Sequence, residues 1–359
     1  MVCDESGSSD RNTGWSCPVE SPRSGDRLSL AHGDGGRLTR HFIRERVLSR
    51  IRSPFLMPLE DAAHLPRPDG PIAISTDSFV VTPVFFPGGD IGSLAVFGTV
   101  NDLLVAGARP IWLTVSLILE EGLPWEDLDR IIESLARAAE RCGVHVVAGD
   151  TKVVPRGSAD RIFINTTGVG VLRPPAPPGA ASLQCGDELL VSGPIGQHGL
   201  AILAARENLQ FEPAPASDSQ PLHEPIFALL DELGSHVRAM RDATRGGVAA
   251  VLHEWAEASH RTLAVEQAGF PMSDALRGAC ELLGIDPLFF AGEGVFLLAV
   301  AEGFADAALA ILRAHPQTRL ARRVGRVEAQ QSFRVTIRRG RGAAQPLEEP
   351  VAALLPRIC

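Results

Sequence analysis

The chain has 359 residues, 45% of them hydrophobic and 21% charged, so most of it should fold, with enough length for two lobes of ordinary domain size. Its formal net charge of −9 argues against binding to nucleic acid, because that affinity comes from clustered lysine and arginine. Six scattered cysteines without a C-x-x-C pair, no N-terminal signal segment and no apolar run of about 20 residues indicate a cytoplasmic protein that does not cross a membrane.

The first part of the chain alternates predicted helices and strands. Residues 1–28 predict a flexible leader, because a segment so rich in serine, glycine and charge buries too little apolar surface to offset its ordering entropy. After a glycine-dense turn, hydrophobic periodicity predicts a helix over Leu38–Arg50, a buried strand over Pro71–Val81, a helix over Gly92–Gly107, a strand over Ile111–Leu119, an amphipathic helix over Glu126–Cys142, and strands over Val144–Val147 and Ile162–Val171.

A proline-dense segment over 174–179 separates this lobe from a second one, because it suits neither a helix nor an inner strand. The second lobe is predicted to be α+β, with strands over Glu188–Ser192, Gly294–Val300 and Ser332–Ile337 and with helices ending near Ser259 or spanning Asp274–Leu283 and Ala305–Ala314. The predicted organisation is a leader (1–28), an N-terminal domain (29–173), a C-terminal domain (180–340) and a mobile tail (341–359).

Acidic residues recur at predicted strand and turn ends, namely Asp61, Asp77, Asp102, Asp150 and Asp242. Carboxylates collected in this way suit Mg²⁺, a hard cation that prefers oxygen ligands and bridges carboxylates to nucleotide phosphates. Each aspartate taken alone is more often a helix cap or a turn former.

Three glycine-rich loops offer backbone N–H groups to phosphate oxygens, at His32–Gly36, Gly88–Gly92 and Gly246–Gly247. None of them is a Walker A sequence, and each is also compatible with an ordinary glycine turn. Lys152 and Arg245 lie next to the polar clusters and could supply compensating positive charge.

The last residue is Cys359, at the end of a tail with little helical or strand character. A thiol at that place could travel between sites, and its thiolate would be the reactive form. A terminal cysteine without function is the alternative that composition leaves open.

Several motifs together resemble the HypE carbamoyl dehydratases of hydrogenase maturation, within the aminoimidazole-ribonucleotide-synthetase-like ATP-binding superfamily. The resemblance covers roughly 28–359 and rests on these segments: His32-Gly33-x-Gly35-Gly36, Ser75-Thr76-Asp77-Ser78, Phe85-Phe86-Pro87-Gly88-Gly89, Asn101-Asp102, Glu120-Glu121-Gly122, Gly149 to Val154, Arg241 to Gly247, and Pro356-Arg357-Ile358-Cys359. The terminal tetrapeptide is the most specific of them.

The resemblance implies a two-lobed α+β synthetase-like fold: an N-terminal lobe that forms a β-barrel across a homodimer, a C-terminal α/β lobe and a flexible C-terminal tail. It implies Mg²⁺ and phosphate binding by Asp61, Asp77, Asp102 and Asp150. It also implies a nucleotide-binding cleft lined by Gly33, Gly35, Gly36, Thr151, Asp242, Thr244, Gly246 and Gly247. Lys152 and Glu293 would lie around the modified Cys359.

The implied activity is ATP-dependent dehydration of a carbamoyl group on Cys359 to a thiocyanate. A carbamoyltransferase, HypF, would load that group, and a HypC–HypD complex would accept cyanide for the iron of a nickel–iron hydrogenase. Phosphorylation makes a poor leaving oxygen expellable, and Glu293 is the candidate base for the N–H protons. Two alternatives are a small-molecule kinase or synthetase of the same superfamily and a nucleotide-regulated scaffold.

Overall fold

The structure is a computed structural model that describes residues 26–57 and 59–350. Its first lobe contains the strands β1 (Ile72–Phe79), β2 (Phe85–Phe86), β3 (Gly89–Asp90), β4 (Ala108–Glu120), β5 (His145–Val154) and β6 (Ile162–Leu172) and the helices α1 (Arg37–Phe42), α2 (Ile91–Val105) and α3 (Trp125–Cys142). A π-helical turn over Ile43–Leu48 continues α1. Helix α3 stops at Gly143, whose left-handed backbone (φ 66°) closes its C-terminus.

Four strands of this lobe form one sheet in the order β1-β6-β4-β5. Strands β4 and β5 are parallel, and the other pairs are antiparallel. One face packs on α2, where Gly168 of β6 lies so close to Thr99 and Leu103 that a side chain there would clash. No element of the described residues covers the opposite face, which exposes Ile74 by 63%. The strand predicted as buried over Pro71–Val81 therefore has one exposed face and one half-buried face, on which only Phe79 is buried.

The second lobe contains a seven-stranded sheet in the order β13-β12-β9-β11-β7-β10-β8, with only the β12–β9 pair parallel. Its strands are β7 (Glu188–Val191), β8 (Val237–Asp242), β9 (Thr262–Glu266), β10 (Phe296–Val300), β11 (Arg322–Glu328), β12 (Val335–Arg338) and β13 (Ala344–Pro346). Its helices are α4 (Gln197–Arg206), α5 (His223–Leu233), α6 (Gly247–Ser259), α7 (Asp274–Leu283) and α8 (Ala305–Arg313). The sheet is mixed rather than wound from parallel strands, which agrees with the predicted α+β lobe.

The structure describes the residues at two of the predicted boundaries. Leu28, assigned to the leader, is 2% exposed and its N–H donates to the Leu123 carbonyl. Within the segment assigned to the tail, β13 pairs with β12, and Leu347 is buried with its N–H bonded to the Val335 carbonyl. In both cases an apolar side chain packs into the core despite its polar neighbours in sequence.

The two lobes meet along α2 and the segment 217–222. Ser217 donates its backbone N–H to the Pro87 carbonyl, and Phe86 contacts the ring of His198 edge-on in α4. Within the described part of the chain, no helix is both long enough and apolar enough to span a bilayer.

Candidate active site

Four carboxyl groups from both lobes converge on one small cavity of about 40 Å³. Asp77 comes from β1, Asp102 from α2, Asp242 from the end of β8, and Glu293 from the loop before β10. The lining is completed by Ser78, Phe79, Gly98, Thr244 and Arg245. A water molecule occupies about 30 Å³ in the liquid, so this cavity suits an ion or a small group rather than a whole nucleotide.

Burial and mutual repulsion dominate the electrostatics of this acidic cavity. Burial, with the neighbouring Asp242 charge second, raises the pKa of Asp102 to about 8, although Ser75 Oγ donates a 2.6 Å hydrogen bond to Asp102 Oδ2. Burial also raises the pKa of Asp242 to about 6, against the opposing charge of Arg241. The pair therefore tends to share a proton at neutral pH.

Glu293 is 3% exposed, and its pKa is raised well above the ordinary value by burial first and then by Asp242, Asp218, Asp102 and Asp77. A group of carboxyls with raised pKa values needs protons or a cation to neutralise it. The four carboxyl groups supply oxygen ligands and little positive charge lies near them, so they fit an Mg²⁺ ion that is also bound by phosphate and water oxygens. Although these groups share a cavity, no three acidic, histidine or cysteine side chains among the residues described are arranged to hold a metal ion by themselves.

The turn that follows β8 depends on two glycines with left-handed backbones, Gly246 (φ 77°) and Gly247 (φ 60°). A Cβ at Gly247 would lie 2.4 Å from the Leu288 carbonyl oxygen, so no larger residue fits. The Gly247 N–H bonds back to the Thr244 carbonyl, which brings Thr244 and the acidic cavity together at the start of α6.

A second and larger cavity of about 380 Å³ lies at the β5 edge of the first sheet. Its polar lining includes Gly33, Gly35, Asp61, Gly149, Asp150, Thr151 and Lys152, and its apolar lining includes Ile43, Val47, Ile51, Phe55 and Leu56. A cavity of this size with an apolar floor and a few polar groups is typical of small-molecule sites. Gly33 is needed there, because a Cβ would lie 2.8 Å from Val153 Cβ.

The structure thus divides the predicted metal ligands between two cavities of one protomer. Asp77 and Asp102 line the acidic cavity, whereas Asp61 and Asp150 line the larger one. The assignment of these four residues to Mg²⁺ and phosphates stays a prediction, and within one chain β1 and β5 lie at opposite edges of the first sheet.

The catalytic predictions are divided in the same way. Lys152 lies at the larger cavity and Glu293 at the acidic one, while Cys359 lies outside the described residues. Gly36 is the N-cap residue of α1 and is absent from both linings. The strand predicted to stop at Val147 instead runs on through 149–152, so that this polar cluster lies within β5.

The loop over 88–92 is a structural turn. Asp90 caps α2 by accepting hydrogen bonds from the N–H groups of Gly92 and Ser93, which leaves these groups satisfied. Gly88 packs against Ser217, where a Cβ would lie 2.7 Å from the carbonyl oxygen. The ordinary turn interpretation holds for this loop.

Sequence reasoning missed two side chains near Glu293. Asn101 was noted only as part of the Asn101-Asp102 motif. An amide within a mainly apolar helix was the sequence feature that could have identified it. Asp218 lies in a polar loop between α4 and α5 that offered no pattern at all.

Comparisons with known proteins match nearly the whole chain. Residues 59–172 match the N-terminal domain of AIR synthase related proteins, and residues 184–338 match the C-terminal domain. The carbamoyl dehydratase HypE of Cupriavidus necator is 43% identical over 93% of this chain and 95% of its own length. The protein of the same name from Escherichia coli is 43% identical over 93% of this chain and all of its own length.

Solved structures agree with the sequence matches. A crystal structure of the hydrogenase maturation protein HypE in complex with ATP superposes with a TM-score of 0.87 at 42% identity, over 92% of this chain and all of that one. A HypE–HypF complex contains a chain with a TM-score of 0.75 at 43% identity, over 86% of this chain and 99% of that one. A thiamine monophosphate kinase from Aquifex aeolicus, at 20% identity and a TM-score of 0.56, shares the fold.

Proposed function

The chain belongs to the HypE family of carbamoyl dehydratases within the AIR synthase related proteins, and from this premise we propose how its own residues perform that reaction. The proposed substrate is an S-carbamoyl group on Cys359. ATP-dependent dehydration converts it to a thiocyanate, which supplies the cyanide ligand for the iron of a nickel–iron hydrogenase. The two lobes, the acidic cavity and the position of Pro350 are the structural basis.

The main support for this proposal is that the described chain ends against the turn after β8, in which Thr244 and Arg245 line the acidic cavity. Pro350 Cγ lies 3.7 Å from the position that a Cβ on Gly246 would take, in the turn that lines this cavity. Nine residues follow Pro350, and an extended chain of that length reaches about 30 Å. A thiol at position 359 is therefore within reach of Glu293 and Asp102 from this starting point.

The proposed reaction balances as S-carbamoyl plus ATP giving thiocyanate, ADP and phosphate. The carbamoyl oxygen attacks the γ-phosphorus and displaces ADP, and one N–H proton is lost. The C–O bond then breaks, phosphate leaves with the oxygen, and loss of the second N–H proton completes the C≡N bond. No free water is formed, because the oxygen departs within phosphate.

Glu293 is proposed to receive a proton in this sequence. Burial raises its pKa, which makes the ionised form a stronger base than an ordinary carboxylate. Its burial also keeps water away from an activated group that could otherwise hydrolyse. The Lys152 ammonium is proposed to balance phosphate charge.

Nucleotide and magnesium are assigned to the two cavities together. Asp77 and Asp102 would contact Mg²⁺ together with phosphate oxygens, and Asp242 would line the same cleft. The larger cavity, with Asp61 and Asp150 on its rim and Lys152 beside them, would take the rest of ATP, including the phosphate oxygens near Lys152. Bound Mg²⁺ would supply charge neutralisation for the transferred phosphoryl group. The solved relative in complex with ATP supports a nucleotide in this fold.

A homodimer is proposed to complete the site. The uncovered face of the first sheet exposes Ile72 by 52%, Ile74 by 63% and Ile118 by 39%, and such a patch on a sheet favours burial against a partner. Asp150 lies in one register row of that face with Ser116, Asn165 and Ser78. A barrel closed by a second copy would cover this row and enclose both groups of ligands.

Two partners follow from the proposed chemistry. A HypF-type carbamoyltransferase would load Cys359, which the solved HypE–HypF complex supports, and a HypC–HypD complex would accept cyanide. The cytoplasm, as expected from the cysteine pattern, is the proposed compartment.

Intact-mass measurement tests the proposal. With ATP, carbamoyl phosphate and HypF, the chain should gain about 43 Da and then lose about 18 Da, from the atomic composition of the groups on a thiol carrier. Cys359→Ala should abolish both changes, whereas Cys185→Ala, at an exposed cysteine of the second lobe, should keep them. A mass change that survives Cys359→Ala, or no change in the wild-type chain, contradicts the proposal.

A further inference from the structure

The loop that carries Glu293 is anchored by a carboxylate from another part of the second lobe. Asp218 Oδ1 accepts a hydrogen bond from the Glu293 N–H, and Asp218 Oδ2 accepts one from the Gly294 N–H, both at 3.1 Å. A Cβ at Gly294 would lie 1.8 Å from the Asp218 carbonyl oxygen, and one at Gly292 would lie 3.1 Å from Asp218 Oδ2. The glycines on both sides of Glu293 therefore let its loop run directly against Asp218.

The same loop is held from the first lobe by an amide. Asn101 on α2 is 1% exposed, and its Nδ2 donates to the Glu293 carbonyl at 3.2 Å and to the Gln220 carbonyl at 3.0 Å. Its Oδ1 accepts from the Leu222 N–H at 3.1 Å. The amide thus ties α2 both to Glu293 and to the segment that contains Asp218.

These hydrogen bonds oppose the electrostatic repulsion between Glu293 and the other carboxyl groups of the acidic cavity. Glu293 faces Asp77 of β1, Asp102 of α2 and Asp242 of β8, with Arg245 also in the lining and Asp218 behind its loop. An ionised Glu293 is repelled by these carboxylates, and a loop flanked by glycines offers little resistance to swinging away. Hydrogen bonds to its main chain from both lobes oppose that movement.

We propose that Asp218 and Asn101 are positioning residues, which clamp the main chain of Glu293 so that its carboxyl group stays in the acidic cavity. This inference rests on the proposed function, in which Glu293 receives a proton. Neither side chain is among the residues that line the cavity, so both act through Glu293. Because Ser217 also donates to Pro87 in the first lobe, the clamp further links Glu293 to the packing of the two lobes.

The test combines amide hydrogen exchange with turnover in the full-length protein. In Asp218→Ala, we expect exchange at the Glu293 and Gly294 amides to become at least about tenfold faster, since both lose their acceptor. The kcat should fall about 100-fold with KM for ATP changed less than about twofold, because a displaced catalytic group slows chemistry more than binding. Asp218→Asn keeps one acceptor oxygen, so it should lie between the wild type and Asp218→Ala.

The matched control is Asp306→Asn, whose carboxylate belongs to the same lobe and is 94% exposed. It should leave exchange at residues 293 and 294 and turnover unchanged. If Asp218→Ala fails to fold, Asp218→Asn carries the same readouts. Unchanged exchange at both amides in a folded Asp218 variant overturns the inference, as does a lower melting temperature with normal kcat.

The proposed function can fail separately. A wild-type chain that shows no mass change on Cys359 defeats the dehydration chemistry, whereas the exchange measurement still decides whether Asp218 anchors the loop. Asn101→Asp keeps the acceptor for the Leu222 N–H but loses the donations to the Gln220 and Glu293 carbonyls. If both Asn101 and Asp218 hold the Glu293 main chain, this variant should lower kcat as the Asp218 variants do.

Discussion

Replacing Asp102 by Asn should make the ligand-free protein more stable at neutral pH, although it removes a proposed ligand. The folded-state pKa of about 8 lies above the ordinary value of 3.8, so the folded protein binds this proton more tightly than the unfolded chain does. Stability present at pH 4 is therefore lost as pH rises towards 8. At about 1.4 kcal/mol for each pH unit between 3.8 and 7, the loss reaches about 4 kcal/mol, an upper bound because Asp242 shares the proton.

Asparagine keeps an oxygen acceptor for Ser75 Oγ but cannot ionise. The variant should therefore lose the part of the pH dependence between pH 5 and 8 that comes from Asp102, while Asp242 and Glu293 keep their contributions. For a lobe of this size, a change of 4 kcal/mol corresponds to a melting-temperature difference of about 10 °C at pH 7. The measurement is thermal unfolding followed by tryptophan fluorescence at half-unit pH steps, without nucleotide or divalent cation.

Asp69→Asn is the control, since Asp69 is an exposed loop residue away from the acidic cavity. It should keep the wild-type pH dependence. Parallel pH profiles for the wild type and Asp102→Asn, or a wild-type stability that rises from pH 5 to 8, would refute the explanation based on buried, repelling carboxylates.

Three further outcomes are expected. Mg²⁺ with ATP should flatten the wild-type pH profile because cation binding favours the ionised carboxylates, and an unchanged slope would contradict the proposed ligand set. Gly247→Ala should lose more than about 2 kcal/mol in urea unfolding, whereas Gly278→Ala, with nothing within 4 Å of its added Cβ, should gain up to about 1 kcal/mol. Ile74→Lys should raise the dissociation constant of the dimer at least about 30-fold in sedimentation experiments, because the dimer would bury an unpaired charge. Leu282→Lys, at a residue that is 83% exposed on α7, should leave the dissociation constant unchanged. Equal effects of the two substitutions would argue against the uncovered sheet face as the interface.

Local signals in the sequence determined most individual elements. Helix α7 spans the residues predicted for it, because Ser273 caps its start and Gly284 adopts the left-handed conformation that ends it. Helix α3 is set in the same way by its apolar stripe and by Gly143. The motif at 241–247 also marked its turn correctly, since only glycine fits at Gly247.

Only the tertiary structure decided which acidic residues meet. Asp77 and Glu293 come from different lobes and share a cavity, whereas Asp150, with an equally polar setting in sequence, lies at the opposite edge of the first sheet. The raised pKa of Glu293 and its clamp by Asp218 depend on burial and on contacts between distant segments. Helix caps and turns depend on near neighbours and can be recognised from sequence, but repulsion, desolvation and sheet-edge placement arise from the packing of the whole chain.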